Sequence, residues 1–370
     1  MSFIPIYDKY DNTDLEAFLD SVSVKHVERA VRSGRPGEKD FLAMLSPAAE
    51  GLIEEMAQRA HRLTLKNFGR VIQLYTPMYL ADHCENDCAY CGFSSRGVRA
   101  GRKLTLEEVE KEAEFISSTG LKHLLILTGG SRKASPVSYI KECVGVLKAY
   151  FSSISIEVYA LSGEEYRELI SAGVDGLTIY QEVYDRGVYD KVHVSGVKKN
   201  YEFRLEAPER AGRAGMRTIN IGALLGLNDW RKEVFFTGLH AAYLQKEFPA
   251  AEISVSVPRL RPCSGDFLPA CTVSEVEVAQ ILTAFRIFLP RVGITLSTRE
   301  GARFRENLIP LGVTRMSAGS TTAVGGHTLK APDGPYITQF DIADRRDVAE
   351  IRAMLKEKGY QPVLKDWMDI

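Results

Sequence analysis

Three cysteines stand close together about a quarter of the way along the chain: Cys84, Cys88 and Cys91. The spacing C-x3-C-x2-C, with no fourth cysteine nearby, can supply three corners of a [4Fe–4S] cube and leave the fourth iron without a protein ligand. An open iron can bind and activate a small molecule, as an open position does on catalytic zinc. The spacing therefore predicts a reactive iron–sulfur site and not an electron-carrying one.

Two plainer interpretations of these cysteines stay open. His83 directly precedes Cys84 and could complete an unusual Cys3His zinc site. Adjacent residues seldom both reach one metal, however. Three unligated core thiols also fit poorly, because the Glu-Asn-Asp run between the first two cysteines makes the segment polar and loop-like. The spacing favours iron–sulfur ligation over both.

An aromatic residue, Tyr90, stands directly before Cys91. The resulting pattern, C-x3-C-x-aromatic-C, resembles the cluster motif of radical S-adenosylmethionine enzymes. The resemblance implies one [4Fe–4S] cluster and S-adenosylmethionine as cofactors, with the methionine amino and carboxylate groups chelating the open iron. It also implies that electron transfer into the sulfonium releases a 5′-deoxyadenosyl radical, and that Tyr90 lies against the adenine.

Composition excludes several other classes of protein. The chain has 370 residues, 45% of them hydrophobic, and a formal net charge of −1, which is typical of a globular protein and argues against nucleic acid as a partner. No uncharged apolar run approaches the ~18 residues of a membrane-spanning helix, so no membrane partner is expected. Residues 1–20 are acidic and lack the apolar core of a secretory signal. Six cysteines, three of them clustered, fit a reducing compartment, so we predict a cytoplasmic protein in which Cys143, Cys263 and Cys271 are buried or incidental thiols.

The order of the predicted elements indicates the fold. Residues 1–70 form an N-terminal helical extension, with predicted helices over about 12–33 and 47–66. From residue 71 onward, apolar and β-branched runs alternate with amphipathic segments, which is typical of a parallel sheet. Eight such units predict an α/β fold, a closed TIM-type (β/α)8 barrel over residues 71–320.

The predicted strands cover residues 71–80, 123–128, 154–160, 176–182, 218–226, 252–259, 293–299 and 313–318. The predicted helices between them cover residues 106–118, 139–151, 164–172, 203–214, 229–247, 273–288 and 301–308. The C-terminal part, residues 321–370, is predicted to be a lid loop followed by a helix near 346–358. Active-site residues of such barrels come from the C-terminal ends of the strands, so the polar residues there are candidates.

Glycines end the second predicted strand, in the run Thr128-Gly129-Gly130. A Gly-Gly pair after a strand is by itself only a turn signal, although glycine also lets backbone approach a ligand closely. Here it resembles the Gly-Gly-Glu motif whose backbone contacts the methionine amino group of S-adenosylmethionine. The glutamate is missing, because Ser131 follows Gly130.

Glu182 ends the fourth predicted strand, and Arg204 lies on the helix that follows. An acid and an arginine in these places could form a plain ion pair. The resemblance implies instead that Glu182 meets the ribose or amino group of S-adenosylmethionine and that Arg204 grips its carboxylate, for which a guanidinium with two parallel donors is suited.

Further motifs resemble one branch of the superfamily, the tyrosine lyases or 2-iminoacetate synthases. They are Ser46-Pro47-Ala48-Ala49, Gly92-Phe93-Ser94, Tyr180-Gln181-Glu182-Val183-Tyr184, Ser256-Val257-Pro258-Arg259-Leu260-Arg261-Pro262-Cys263, Leu296-Ser297-Thr298-Arg299-Glu300 and Lys365-Asp366-Trp367. The resemblance implies hydrogen abstraction from the amino nitrogen of L-tyrosine and cleavage of its Cα–Cβ bond. The products would be 2-iminoacetate (dehydroglycine), destined for the thiazole of thiamine, and p-cresol, with 5′-deoxyadenosine and methionine as co-products.

Arg299 is the candidate that holds the substrate. It ends the seventh predicted strand and points into the barrel mouth, where a cation needs a partner. It could pair with Glu300 or Glu182. The resemblance favours capture of the tyrosine carboxylate by Arg299, with the hydroxyls of Ser317 and Ser297 beside it. No catalytic side chain beyond the cluster and S-adenosylmethionine is implied.

The same resemblance implies two protein partners. A thiazole synthase would receive the hydrolysable imine, and a flavodoxin- or ferredoxin-type protein would supply the electron. Four alternatives stay open: a tryptophan lyase, the hydrogenase maturase that makes carbon monoxide and cyanide from tyrosine, a sulfur-inserting enzyme of the biotin synthase type, and a non-enzymatic iron–sulfur or zinc protein. The maturase carries a second set of cluster cysteines in a C-terminal extension, whereas the last cysteine here is Cys271.

Overall fold

The structure is a computed structural model that describes residues 2–95, 101–261, 267–328 and 338–365. Nine parallel strands form one sheet. They are β1 (Val71–Ala81), β2 (His123–Thr128), β3 (Ser153–Glu157), β4 (Gly176–Glu182), β5 (Thr218–Ala223), β6 (Glu252–Ser256), β7 (Gly293–Leu296), β8 (Arg315–Ser317) and β9 (Gln361–Val363). β1 pairs with both β2 and β8, so strands β1 to β8 close into a ring, and the predicted (β/α)8 barrel is confirmed.

Helices surround the ring and precede it. The N-terminal helices are α1 (Ile4–Asp11), α2 (Leu15–Ser21), α3 (Val24–Arg32), α4 (Glu38–Met44) and α5 (Ile53–Phe68). The later ones are α6 (Leu106–Ser118), α7 (Val137–Leu147), α8 (Gly163–Ala172), α9 (Arg186–Val192), α10 (Tyr201–Leu205), α11 (Ala207–Ala214), α12 (Trp230–Glu247), α13 (Glu275–Phe288), α14 (Ala302–Leu308) and α15 (Val348–Glu357). None of the described helices is both long and apolar enough to cross a membrane.

The N-terminal helices pack on the outer face of the barrel helices. The ring of Phe3 stacks on His240 of α12 with 4.3 Å between centroids, and Phe41 of α4 stacks on Phe288 of α13 at 4.5 Å. Gly238 makes this approach possible, since a Cβ there would lie 2.3 Å from Cε1 of Phe41. Burial of these aromatic side chains attaches the extension to the barrel.

Several predicted boundaries were wrong for local reasons. The single helix expected over residues 12–33 is two helices, because the Ser23 hydroxyl accepts a hydrogen bond from the His26 N–H and starts α3 anew. The predicted helix over residues 203–214 is likewise split at Glu206 into α10 and α11. Helices α1, α4 and α9 and strand β9 were not predicted; β9 pairs with the start of β1 beside the ring.

Five strands end earlier than predicted: β3, β5, β6, β7 and β8. As a result, Ser297 and Arg299 lie beyond the end of β7, on the loop at the barrel mouth. In a loop the backbone is not held by the hydrogen bonds of the sheet, so consecutive side chains need not alternate between the two faces and can point into the same cavity. The early strand ends thus bring the site residues together.

The scattered cysteines behave in part as expected. Cys143 is buried in α7, and the half-buried Cys271 thiol donates to the Asn228 carbonyl at 2.9 Å. Cys263, Asp366, Trp367 and residues 329–337 of the predicted lid lie outside the described residues.

Candidate active site

A cavity of about 500 Å³ opens at the C-terminal ends of the barrel strands. Such a volume is typical of a small-molecule site. All twelve predicted site residues line it: Cys84, Cys88, Tyr90, Cys91, Thr128, Gly129, Gly130, Glu182, Arg204, Ser297, Arg299 and Ser317. Of these, Thr128, Glu182 and Ser317 are each the last residue of a strand, which is why the closed ring assembles them.

Hydrogen-bond donors surround the cysteine sulfurs. The N–H of Gly130 lies 3.3 Å from Sγ of Cys84, and the amide nitrogen Nδ2 of Asn86 lies 3.5 Å from the same sulfur. The N–H of Phe93 lies 3.4 Å from Sγ of Cys91. Donors in these positions stabilise negative charge on sulfur and orient it toward a metal.

Burial works in the opposite direction on the same thiols. It raises the pKa of Cys88, and it raises that of Cys91 to about 12. Without a cation the two thiols keep their protons, whereas coordination to a metal removes them. The donor set and the burial together fit a metal cluster and do not fit a reactive free thiol.

The zinc alternative is not supported by the geometry. The ring of His83 packs against Gly101, whose Cβ, if present, would lie 2.6 Å from Cδ2 of the ring. A cube of four irons binds each cysteine to a different iron, so three sulfurs spread around one cavity suit a cluster.

Tyr90 is fixed by a buried hydrogen-bond chain. Its hydroxyl lies 2.7 Å from Nε2 of His193, and Nδ1 of His193 lies 3.0 Å from the Tyr189 carbonyl. Because a carbonyl only accepts, Nδ1 donates and Nε2 accepts from Tyr90. Burial lowers the pKa of His193 to about 2, so this tautomer stays neutral. The chain holds the Tyr90 ring at the cavity wall.

Gly129 and Gly130 pack directly on the cysteine loop. A Cβ on Gly129 would lie 2.3 Å from the His83 carbonyl oxygen, and one on Gly130 would lie 2.0 Å from Nδ2 of Asn86. The Gly130 carbonyl also accepts from the Glu85 N–H at 3.2 Å. These glycines therefore position the cysteine loop, a task that the sequence did not reveal.

The residue that replaces the motif glutamate also has a partner in this loop. The Ser131 hydroxyl donates to Oε1 of Glu85 at 2.6 Å, so a carboxylate from the cysteine loop lies beside the glycine pair. The nearby Thr128 hydroxyl is buried, and none of the described residues hydrogen-bonds to it. That hydroxyl is available to a ligand in the cavity.

Glu182 belongs to a cluster of three charges. Its Oε1 lies 2.6 Å from Nζ of Lys198 and 3.5 Å from Nη2 of Arg204. The predicted Glu182–Arg204 pair is present, and Lys198, which the sequence did not single out, is the closer cation. Nε of Arg204 donates to the Tyr180 carbonyl at 2.8 Å. Lys198 and Arg204 keep the pKa of Glu182 low despite its burial.

The backbone at Glu182 is unusual. Its φ of +72° is left-handed, and the pairing of β4 with β5 shifts register between Tyr180 and Glu182. A bulge at a barrel rim re-aims a side chain, and a non-glycine residue in this region is strained by about 1 kcal/mol or more. This strain lies at the residue with the densest charge contacts in the cavity.

Arg299 does not use either of the pairings that the sequence offered. Glu300 is bound by Arg259 and Arg261 instead, because its side chain turns to the loop after β6. Among the described residues, no carboxylate lies within ion-pair distance of the Arg299 guanidinium. That group stacks over the ring of Phe340, 3.4 Å from its centroid. A partly buried cation that lines a cavity and has no acid beside it among the described residues is suited to bind an anionic ligand.

Hydroxyl groups adjoin this cation. Oγ of Ser297 accepts from the N–H of Arg299 at 3.4 Å, and Oγ of Ser317 accepts from the N–H of Thr298 at 3.1 Å. The Ser317 hydroxyl also makes a side-chain hydrogen bond with Tyr75, so both serines line the cavity beside the cation as part of a polar wall. The C-terminal segment closes this side: the Tyr79 hydroxyl donates to Oε1 of Gln339 at 2.7 Å, and the Gly92 N–H donates to the Gln339 carbonyl at 3.2 Å.

Comparisons with known proteins agree with this geometry. The radical SAM superfamily matches residues 78–237, and the Biotin and Thiamin Synthesis associated domain matches residues 256–361. The 2-iminoacetate synthase of Salmonella typhimurium is 40% identical, over 96% of this chain and 93% of the relative. The 2-iminoacetate synthase of Escherichia coli is 38% identical, over 99% of this chain and 97% of the relative.

Solved structures extend the likeness to the whole fold. HydG, a maturase of the [FeFe]-hydrogenase, superposes with a TM-score of 0.86 at 29% identity, covering 97% of this chain and 78% of HydG. HydG from Carboxydothermus hydrogenoformans superposes with a TM-score of 0.84 at 31% identity, covering 98% of this chain and 82% of that one.

Proposed function

This chain belongs to the 2-iminoacetate synthase family of radical S-adenosylmethionine enzymes, and on that premise we propose that it cleaves the Cα–Cβ bond of L-tyrosine, giving 2-iminoacetate and p-cresol. The enzyme is a carbon–carbon lyase with one [4Fe–4S] cluster and S-adenosylmethionine as cofactors. The observation that carries the substrate assignment is the partly buried Arg299 guanidinium, which lines the same cavity as the three cysteines and has no acid within ion-pair distance among the described residues.

Cys84, Cys88 and Cys91 would hold the cluster, with the Gly130 and Phe93 N–H groups supporting their sulfurs. S-adenosylmethionine would lie between Tyr90, the run Thr128-Gly129-Gly130 and the pair of Glu182 and Arg204. When bound, the cluster and S-adenosylmethionine supply the 5′-deoxyadenosyl radical. The protein then contributes position, electrostatics and exclusion of water.

Arg299 would take the tyrosine carboxylate, for which its planar fork of donors is suited. The hydroxyls of Ser317 and Ser297 would donate to the same carboxylate. Glu182 lines the same cavity, so a substrate anchored at Arg299 would share the cavity with the residues proposed to hold the nucleotide. The packing of Gln339 and Phe340 at this end keeps water from the radical and from the hydrolysable imine.

The partners and compartment follow from the same chemistry. A thiazole synthase would receive 2-iminoacetate before it hydrolyses, and a flavodoxin- or ferredoxin-type donor would reduce the cluster. The free thiols of the described residues fit the reducing cytoplasm. In this proposal the helical extension, residues 1–70, supports the barrel from outside. The barrel, residues 71–320, carries the active site, and the C-terminal segment, residues 321–370, closes it.

Anaerobic reconstitution with iron and sulfide, followed by dithionite, S-adenosylmethionine and tyrosine, tests this function. We expect 5′-deoxyadenosine, p-cresol and glyoxylate, the hydrolysis product of 2-iminoacetate, and we expect Cys88→Ala to lose all three. The matched control is Cys271→Ala, which should still form all three products. Release of carbon monoxide and cyanide would favour the maturase reaction, and product from tryptophan but not from tyrosine would favour a tryptophan lyase.

A further inference from the structure

One acid in the cavity has no role in the assignments above. Glu157 is the last residue of β3, pairs with Leu127 of β2 and lines the cavity. Among the described residues, none hydrogen-bonds to its carboxylate and no cation lies within ion-pair distance. This distinguishes it from Glu182, which is held by Lys198, and from Glu300, which is held by Arg259 and Arg261.

The charges around Glu157 show where it lies relative to the two proposed subsites. Five parts of the fold carry the groups that act on Glu157 or on which it acts: Tyr75 and Tyr79 of β1, Tyr180 and Glu182 of β4, Lys198 before α10, Arg204 of α10 and Arg299 after β7. Glu157 therefore interacts electrostatically with Glu182, proposed to bind the nucleotide, and with Arg299, proposed to bind the substrate. It lines the same cavity as the group proposed to bind the cofactor and the group proposed to bind the carboxylate.

An amino-acid substrate places its ammonium in the same position. With the carboxylate at Arg299, the nitrogen is attached to the adjoining carbon and must face the nucleotide for its hydrogen to be taken. An ammonium has no lone pair to stabilise a radical on nitrogen, so it must first lose a proton. A carboxylate that lines the cavity and has no hydrogen-bond or ion-pair partner among the described residues can meet this need.

We propose that Glu157 binds the substrate ammonium and accepts one of its protons before the hydrogen atom is taken. The proton moves from the nitrogen to a carboxylate oxygen, leaving a neutral amine and a neutral carboxyl group, and no electron is transferred. The carboxyl returns the proton to water when the products leave. The inference rests on the proposed function, because it places an amino acid at Arg299.

The protonation behaviour of this acid agrees with such a role. Burial, together with the charge of Glu182, raises the pKa of Glu157 to about 7, against the opposing effect of Arg299, Arg204 and Lys198. A proton acceptor works best when its pKa lies near the working pH. Since only the ionised form accepts, turnover should fall as the pH drops below about 7.

The first test is the pH profile of Glu157→Gln, which keeps the shape of the side chain and removes its basicity. We expect p-cresol formation near neutral pH to fall about 100-fold or more. At pH values below the pKa of the substrate amine, the residual rate should climb about tenfold per pH unit, because only tyrosine that is already a free amine reacts, while the wild-type rate levels off. An unchanged rate and profile would overturn the proposal.

Glu233→Gln is the matched control. Glu233 is also buried with a pKa raised to about 7, but its carboxylate accepts from Nδ2 of Asn228 at 2.8 Å and from the Asp185 N–H at 3.3 Å, away from the cavity lining. This variant should keep the acidic limb of the wild-type profile. Loss of that limb in Glu233→Gln would assign it to Glu233 and contradict the proposal.

The second test uses binding to the unreduced holoenzyme, where no turnover occurs. Tyrosine, phenylalanine and 3-(4-hydroxyphenyl)propionate differ in the amine and the phenol. Glu157→Gln should weaken tyrosine and phenylalanine about 10- to 100-fold, as expected for a lost hydrogen bond to a charged group. It should leave the deaminated analogue unchanged, which also shows that the variant is folded.

Two outcomes of the binding series would overturn the assignment. Weaker binding of tyrosine and of the deaminated analogue, with phenylalanine unchanged, would place Glu157 at the phenol. Unchanged binding of all three ligands would make it a packing residue. If the wild-type enzyme gives no p-cresol, the proposed function itself fails; if it does and Glu157→Gln behaves like wild type, only this inference fails.

Discussion

The Lys198 ammonium lies 2.6 Å from the carboxylate of Glu182. Glu182 is the last residue of β4, and its backbone has a left-handed φ of +72°. The strain of that conformation is offset by a partly buried ion pair in which both side chains are well shielded. Arg204 joins the same carboxylate at 3.5 Å. The position of the residues proposed to bind the nucleotide therefore depends on a lysine in the loop that follows α9.

Lys198→Met should weaken S-adenosylmethionine binding about tenfold, because it removes the nearer of the two cations that hold Glu182 and leaves only Arg204, at 3.5 Å, to orient the carboxylate. Equilibrium binding to the reconstituted, unreduced enzyme measures it. Lys199→Met is the control, since Lys199 is half exposed and pairs with Asp190. If the two substitutions weaken binding equally, Lys198 acts only by adding positive charge to this segment, and its contact with Glu182 has no specific role.

Arg299→Lys should raise the KM for tyrosine about tenfold and leave S-adenosylmethionine binding unchanged. A lysine keeps the charge but loses the two parallel donors and the stacking on Phe340. Steady-state p-cresol formation measures the KM. The exposed Arg303→Lys on α14 is the control. A matching loss of affinity for S-adenosylmethionine would move Arg299 out of the substrate site.

Gly130→Ala should reduce the iron affinity of the site about 10- to 100-fold, the range found for groups that support metal ligands. The added methyl group would meet Asn86 at 2.0 Å and Cys84 at 3.5 Å, and so displace the cysteine loop. Retention of iron against a chelator measures this affinity. Gly145→Ala, where a methyl group meets nothing within 4 Å, should keep its iron.

Tyr90→Phe should lower the free energy of unfolding of the apoprotein by about 1–3 kcal/mol, because it leaves Nε2 of His193 buried without a donor. His193 stays neutral at any pH near 7, since its pKa is about 2, so the loss should be independent of pH there. Urea denaturation measures it. Tyr150→Phe, whose hydroxyl contacts Glu110 at the surface, should change the stability by less than about 0.5 kcal/mol.

The sequence predicted the site residues that lie at strand ends and missed those brought in by loops. Thr128, Glu182 and Ser317 could be predicted because alternating strands and helices place every strand end at one mouth. Lys198 reaches the cavity from the short 3-10 helix Val197–Lys199 and Phe340 from a segment without regular structure, and neither stretch has a periodicity that would reveal the direction of its side chains. Their contacts depend on tertiary packing alone.

Adjacent residues illustrate the same limit. The sequence allowed Arg299 to pair with its neighbour Glu300, yet the two side chains face different partners, and Glu300 turns to Arg259 and Arg261. The helix predicted over residues 12–33 failed for another local reason, the capping hydroxyl of Ser23. Spacing indicates which residues can be near each other, and the direction of each side chain decides which of them meet.

Tyrosine labelled with carbon-13 at Cα tests the central claim most directly. The reduced, reconstituted enzyme with S-adenosylmethionine should deliver the label entirely to glyoxylate, and p-cresol should form unlabelled together with 5′-deoxyadenosine. Formation of 5′-deoxyadenosine without p-cresol, or label that stays attached to the aromatic fragment, would contradict cleavage between Cα and Cβ.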